Sequence, residues 1–172
     1  MNAKCEAEWL KARVANYWRF HKQAIAVAIE ANYSECDVLV LTKSNLLVEC
    51  EIKRTLQDLK RDSVKRKHYR MANNGTDKGY GYSKHKFYFA VPESIKDKAL
   101  AVVEETYPYA GLLVVTQDCN YWRPGEHIYE VRKPKLFNNP EPNERKVRSI
   151  MKAMSSNICN MAIRLCKERP LL

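Results

Sequence analysis

Asp37, Glu49, Glu51 and Lys53 lie in the stretch ECDVLVLTKSNLLVECEIKRT, Glu35 to Thr55, where two runs of branched residues flank a short polar break. This pattern predicts a β-hairpin. With its turn centred on Ser44, between Lys43 and Asn45, Thr42 faces Leu46 and Asp37 faces Glu51. Side chains alternate along a strand, so Asp37, Leu39 and Leu41 share a face with Leu47, Glu49, Glu51 and Lys53. Val38, Val40, Val48, Cys50 and Ile52 fall on the other face, which is expected to be the core. Opposed residues of an antiparallel pair have Cβ atoms about 4.5–5.5 Å apart, and like charges there repel. A proton on one acid, the Lys53 ammonium or a divalent cation would offset the repulsion. Mg2+ prefers one or two carboxylates with waters and phosphate oxygens, which suits an open cluster of this kind. A solvated strand face carries similar charges. What favours a metal site is the opposition of the acids beside a well-patterned apolar face, and a turn shifted by one residue would set Asp37 against Ile52 instead.

The surrounding elements follow from periodicity. Leu10, Val14, Tyr17, Trp18, Ile25, Ala28 and Ile29 recur at helical spacing without Pro or Gly, predicting one helix over Trp9–Asn32. After the hairpin, TLQDLKRDSVKRKHYRMANN reads as helical with Thr55 as its N-cap. NNGTDKGYGYS, Asn73 to Ser83, holds three of the five glycines and reads as a loop. KFYFAVP is expected as a strand, ESIKDKALAVVEETY as a short helix, and GLLVVTQ and EHIYEVRKP as two further strands. Beyond the connector marked by Pro134, Pro140 and Pro142, a stripe of Val147, Ile150, Met151, Met154, Ile158, Met161 and Leu165 predicts a C-terminal helix at about 143–168. Its apolar side is expected to dock on the domain, with a homodimer contact as the alternative. The order helix, hairpin, helix, strand, helix, strand, strand, helix implies an α/β fold, a mixed central sheet flanked by helices, in one domain over 1–172.

Charge suggests the partner. Thirty Lys and Arg against 20 Asp and Glu leave a formal charge of +10. The segment Lys53 to Lys86 alone has eleven basic residues and three Asp, a net of +8. That run begins at the acidic pair, where a phosphate backbone would approach. Arg54, Lys60, Arg61, Lys65, Arg66, Lys67, His68 and Arg70 are the expected phosphate contacts, and Tyr69, Tyr80 and Tyr82 the candidates to stack on unpaired bases. Asp58 and Asp62, one helical turn apart, are expected to pair with nearby cations. The six cysteines lack C-x-x-C spacing and read as small buried hydrophobes rather than disulfides or zinc ligands. No apolar run reaches the roughly 18 residues of a membrane helix, and the first residues lack a signal-peptide core, so a cytoplasmic protein is expected.

Asp37 and Glu51-Ile52-Lys53 together resemble the signature of the PD-(D/E)xK nuclease superfamily, an Asp followed by Glu-x-Lys on the next strand. More specifically the chain is similar to the MmcB-like group of bacterial and phage proteins associated with DNA repair, through ECDVLVLTKSN, VECEIKRTLQDLKRD, KRKHY, KFYFAVPE and YAGLLVV, in that order, from about Glu30 to Thr116. Thr55 and Leu59 stand where the family often has Ser and Phe. The resemblance implies a restriction-endonuclease-like core and metal-dependent hydrolysis of DNA; the sequence itself does not exclude RNA. It implies that Asp37 and Glu51 hold Mg2+ or Mn2+ with the backbone carbonyl of Ile52, while Lys53 orients the attacking water or steadies developing charge. Glu49 would hold a second ion or pair with Lys53, or be no more than a charge at the rim. An upstream acid, Glu30 or Glu35, would assist the metal. The competing readings are a nucleic-acid-binding module of the same fold without turnover and, third, a protein-interaction adaptor.

Overall fold

The computed structural model describes residues 3–31, 36–72, 84–116 and 127–168. Six strands form one mixed sheet in sequential order: β1 (Ala26–Ala31), β2 (Cys36–Leu41), β3 (Leu47–Ile52), β4 (Lys86–Pro92), β5 (Gly111–Val115) and β6 (Ile128–Arg132). β1, β2 and β3 run antiparallel, β4 and β5 follow parallel to β3, and β6 returns antiparallel to β5. The helices are α1 (Ala3–Asn16), α2 (Leu56–Arg61), α3 (Arg66–Ala72), α4 (Lys96–Thr106) and α5 (Glu144–Glu168). The expected α/β class is therefore observed.

The hairpin register is the expected one. Leu39 pairs with Glu49 and Val38 with Cys50, the Thr42 N–H donates to the Leu46 carbonyl at 3.0 Å, and Asn45 turns the chain at φ 55°. Thr55 caps α2 by accepting from the Asp58 N–H at 3.1 Å. The single helix expected after the hairpin is divided, since a 3-10 turn over Asp62–Val64 separates α2 from α3.

The first helix departs most from expectation. α1 closes in a π-turn over Tyr17–His21, Gln23 adopts φ 53°, and Ala26–Ala31, predicted as helix, forms β1. Ala26 and Ala28 alternate with Val27 and Ile29, a period of two hidden in an alanine-rich run that also satisfies helical spacing. Pairing with β2 decides in favour of the strand, and the small Ala side chains let α5 lie close against it. The Asn157 amide completes that docking, accepting from the Ile29 N–H and donating to the Ile29 carbonyl, both at 2.9 Å.

Both faces of the sheet are covered, not one. Val27, Val38, Val40, Val48, Cys50, Ile52 and Tyr88 pack with Leu10, Val14 and Trp18, from α1 and the π-turn. On the other face, Leu39, Leu41 and Leu47 lie with Ala26, Ala28 and Ile150 at the α5 end. At the opposite end Phe87, Phe89, Leu112 and Val114 pack with Leu59, Met71, Ala99 and Val103 of α2, α3 and α4. Glu49, Glu51 and Lys53 stand on this second face, between the two apolar clusters. The stripe on α5 docks in its first half only: Ile150 is buried, whereas Met151, Ile158 and Met161 are exposed. Cys36 and Cys50 are buried as expected, but Cys5 and Cys159 are exposed thiols. No described helix is long and apolar enough to cross a membrane.

Candidate functional site

Strand register brings the predicted trio together. Asp37, at the start of β2, accepts a hydrogen bond from the Ile52 N–H at 2.8 Å. One residue past β3, the Lys53 N–H donates to the Ala90 carbonyl at 2.9 Å, which extends pairing with β4 and keeps the side chain on the acidic face. Its ammonium lies 3.3 Å from Glu51 Oε2. The chain then turns over the sheet through α2, the 3-10 turn and α3, and these supply the lid of the cluster.

That lid is cationic. Lys67 of α3 donates to Glu49 Oε1 at 2.9 Å and to Glu51 Oε1, while Lys84, just before β4, donates to Glu49 Oε2. Lys65 reaches Asp62 at 2.6 Å and Glu51 at 3.6 Å. Asp62, in the 3-10 turn, also holds Lys53 Nζ and His68 Nε2, each at 2.5 Å, and His68 Nδ1 meets the Tyr109 hydroxyl at 2.8 Å. On the open side, Lys11 of α1 spans Glu30, Glu8 and, at 3.6 Å, Asp37. Ammonium groups engage Glu49, Glu51 and Asp62 alike, so the cluster is a charge lattice rather than the open group the sequence suggested.

Electrostatics divides the acids into two kinds. Burial would raise the pKa of Glu49, yet the charges and hydrogen bonds of Lys84 and Lys67 outweigh it and hold Glu49 below the ordinary carboxylate value. Burial acts likewise on Asp62, where hydrogen bonds from His68, Lys53 and Lys65 prevail and keep it ionised. Lys67 is correspondingly raised: burial lowers it, but Glu49 and Glu51 dominate. Asp37 moves the other way. Burial raises its pKa first and the facing Glu51 charge second, and the Ile52 N–H, Lys11 and Lys53 only partly offset them. Asp37 is thus an acid of this cluster whose charged form the fold disfavours, and its side chain is 25% exposed.

The expected site residues therefore separate. Asp37, Glu51 and Lys53 converge. Glu49 shares their face but is committed to Lys67 and Lys84. Glu30 stands on β1 rather than on a helix, with φ 49°, and reaches the site through Lys11; Glu35 lies outside the described residues. Lys60, Arg61 and Arg66 are exposed, as phosphate contacts must be, and Tyr69 is 70% exposed. Lys65 is half-exposed and shared with Asp62, and Arg70 is half-buried. Arg54 pairs with Glu6 at 3.1 Å. Lys67 and His68, expected on the phosphate-binding surface, turn inward: Lys67 neutralises Glu49 and Glu51, and His68 is buried among Phe87, Phe89 and Tyr107. Tyr80 and Tyr82 lie outside the described residues. Sequence reasoning missed Lys11, Lys84 and Tyr109, and placed Asp62 only as a surface ion pair. The three-residue spacing of Asp62, Lys65 and His68 was a usable signal, whereas Lys84 and Tyr109 meet their partners across 35 and 41 positions and left none.

The donor chemistry suits a hard cation. Two carboxylates on facing strands are donors of the kind that Mg2+ or Mn2+ prefers, and Asp37, raised in pKa by burial first and by the Glu51 charge second, keeps a side chain 25% exposed. No group of three or more His, Cys, Asp or Glu stands ready as a metal cage among the described residues, and ammonium groups already engage the Glu51 oxygens. A divalent ion would thus take over from a lysine rather than fill a preformed cage.

No family model and no curated protein matches the chain. Among solved structures it is similar to the SPO1766 protein of unknown function from Silicibacter pomeroyi, at 15% identity and a TM-score of 0.51, over 94% of this chain and 90% of that one. This likeness concerns the fold alone.

Proposed function

We propose that the protein is a metal-dependent nuclease of the PD-(D/E)xK kind, hydrolysing DNA phosphodiester bonds. One observation carries the reading: Asp37 lies across from Glu51 in the hairpin register, on the face from which Lys53 brings its ammonium to 3.3 Å of Glu51. Asp37 and Glu51, with the Ile52 carbonyl, would hold Mg2+ or Mn2+. When bound, the ion would polarise a phosphate oxygen and lower the pKa of a water. Asp37 offers the reachable carboxylate. Lys53, held by acids on two sides, presents a fixed positive charge to the attacking water and the developing oxyanion. Exposed Lys60, Arg61 and Arg66 supply the positive surface for the backbone, and Tyr69 a ring for an unpaired base. The resemblance would be consistent with a role in DNA repair or phage DNA processing.

A second reading, a nucleic-acid-binding module without turnover, draws on the lysines that already neutralise Glu49 and Glu51. Plasmid and single-stranded DNA incubated with Mg2+ or Mn2+ separate the two. The wild-type chain is expected to cleave and the Lys53→Ala variant to lose at least a hundredfold in rate, about 2.7 kcal/mol of transition-state stabilisation. Equal cleavage by both would remove the catalytic assignment. Binding that survives chelator, falls steeply with salt and is accompanied by no cleavage would select the module.

A further inference from the structure

Lys53 is a flexible four-carbon side chain, and a useful catalytic ammonium must be held still. Glu51 alone cannot do this, because in the proposed nuclease the same carboxylate is drawn to the metal. We propose that Asp62 is the positioning residue of the site, anchored from behind by His68 and Tyr109, and that it fixes the Lys53 ammonium in its working direction. This inference rests on the nuclease reading of the cluster.

The geometry is a continuous chain of contacts. Asp62 Oδ1 takes the Lys53 ammonium, Asp62 Oδ2 takes His68 Nε2, and His68 Nδ1 meets the Tyr109 hydroxyl. An ionised carboxylate only accepts, so His68 donates from Nε2 to Asp62, and its Nδ1 shares a second hydrogen bond with the Tyr109 hydroxyl. The imidazole cannot easily turn away, since it lies between Phe87, Phe89, Tyr107 and Tyr109 with centroids 5.0 to 6.2 Å distant. Asp62, 2% exposed, acts through the Lys53 ammonium that it holds, which makes it a positioning group rather than a catalytic one. Glu51 and Asp62 engage two of the three ammonium protons of Lys53, and the Phe89 ring centroid lies 6.0 Å from its nitrogen. Four pieces of chain converge on this line: the end of β3, the turn between α2 and α3, α3 itself, and the segment before β5. The break in the helix at Asp62–Val64 thereby acquires a reason, because it carries the Asp62 carboxylate down to Lys53.

Ammonium signals of the full chain labelled with 15N-lysine, together with steady-state cleavage kinetics, test the proposal. The Lys53 signal is expected to be visible and slow to exchange in the wild type and to disappear into exchange in Asp62→Asn. The variant should lose ten- to a hundredfold in kcat, with KM and Mn2+ affinity within twofold of wild type. A merely structural Asp62 would lower stability while leaving the Lys53 signal and kcat of the folded protein unchanged, and that result would overturn the proposal. If Asp62→Asn does not fold, Tyr109→Phe decides. Several-fold faster Lys53 proton exchange would support the anchored line, and exchange at the wild-type rate would overturn it. The spectroscopic arm needs no turnover, so a wild type that cleaves nothing while Lys53 remains ordered by Asp62 would sink the nuclease reading and leave the positioning intact.

Discussion

Replacing Asp37 by Asn should stabilise the metal-free protein and sharply weaken its response to metal, a combination that a structural acid would not give. Asp37 is buried enough for its pKa to rise, and the Glu51 charge facing it adds to that rise. The amide oxygen of Asn can still accept from the Ile52 N–H, which now reaches Asp37 at 2.8 Å. Lys11 loses a partner at 3.6 Å but keeps Glu30 and Glu8. Removing a pair of facing like charges relieves about 0.2–1 kcal/mol, and removing the burial cost of the charge adds to it. A net gain of about 0.5–1.5 kcal/mol is expected, which raises Tm by about 1–6 °C at this chain length. Mn2+ at a hundredfold its dissociation constant should then stabilise the wild type by about 2.7 kcal/mol, and the variant by under about 1 kcal/mol. Urea and thermal unfolding in chelator and in Mn2+ measure both effects. A variant at least about 1 kcal/mol less stable than wild type in chelator would make Asp37 an ordinary ion-pair partner of Lys11. Equal stabilisation of both proteins by Mn2+ would place the ion elsewhere.

Glu49→Gln tests the opposite kind of acid: it leaves Lys67 and Lys84 facing a neutral amide at a fully buried position, and a loss of about 3–5 kcal/mol in urea unfolding is expected, whereas a loss under about 1 kcal/mol would show Glu49 to be dispensable to the fold. Acid should act in two steps. Because the pKa of Asp37 is raised, Mn2+ affinity followed by titration should weaken first as pH falls. Asp62 and Glu49 have pKa values lowered by folding, so their contribution is complete above the unfolded carboxylate value of about 4 and is lost only as pH falls further. Unfolding that preceded the loss of metal affinity would contradict this order.

Local pattern carried much of the fold. The alternation in ECDVLVLTKSNLLVECEIKRT specified both strands, their register and the shared face of Asp37, Glu51 and Lys53, because a turn of given length leaves one pairing and a strand leaves two faces. Thr55 as a cap, KFYFAVP and GLLVV as buried strands, and α4 and α5 were legible for the same reason: each signal lies within a few residues of the structure it specifies. Ala26–Ala31 was not legible, since AIAVAIEA satisfies both periods and the arbiter is β2, reached across the chain.

What the sequence alone determined is the pairing of two acids and a lysine on one strand face beside an excess of basic residues. Only tertiary structure decided their surroundings. Lys11, Lys67, Lys84, Asp62 and Tyr109 reach the cluster from separate elements, and an ionised side chain can act as a phosphate contact or as a buried counter-ion with no change in sequence pattern. The difference lies in which way α3 faces: Met71 packs with Phe87 and Phe89, and the same helix carries Lys67 and His68 inward to Glu49, Glu51 and Asp62.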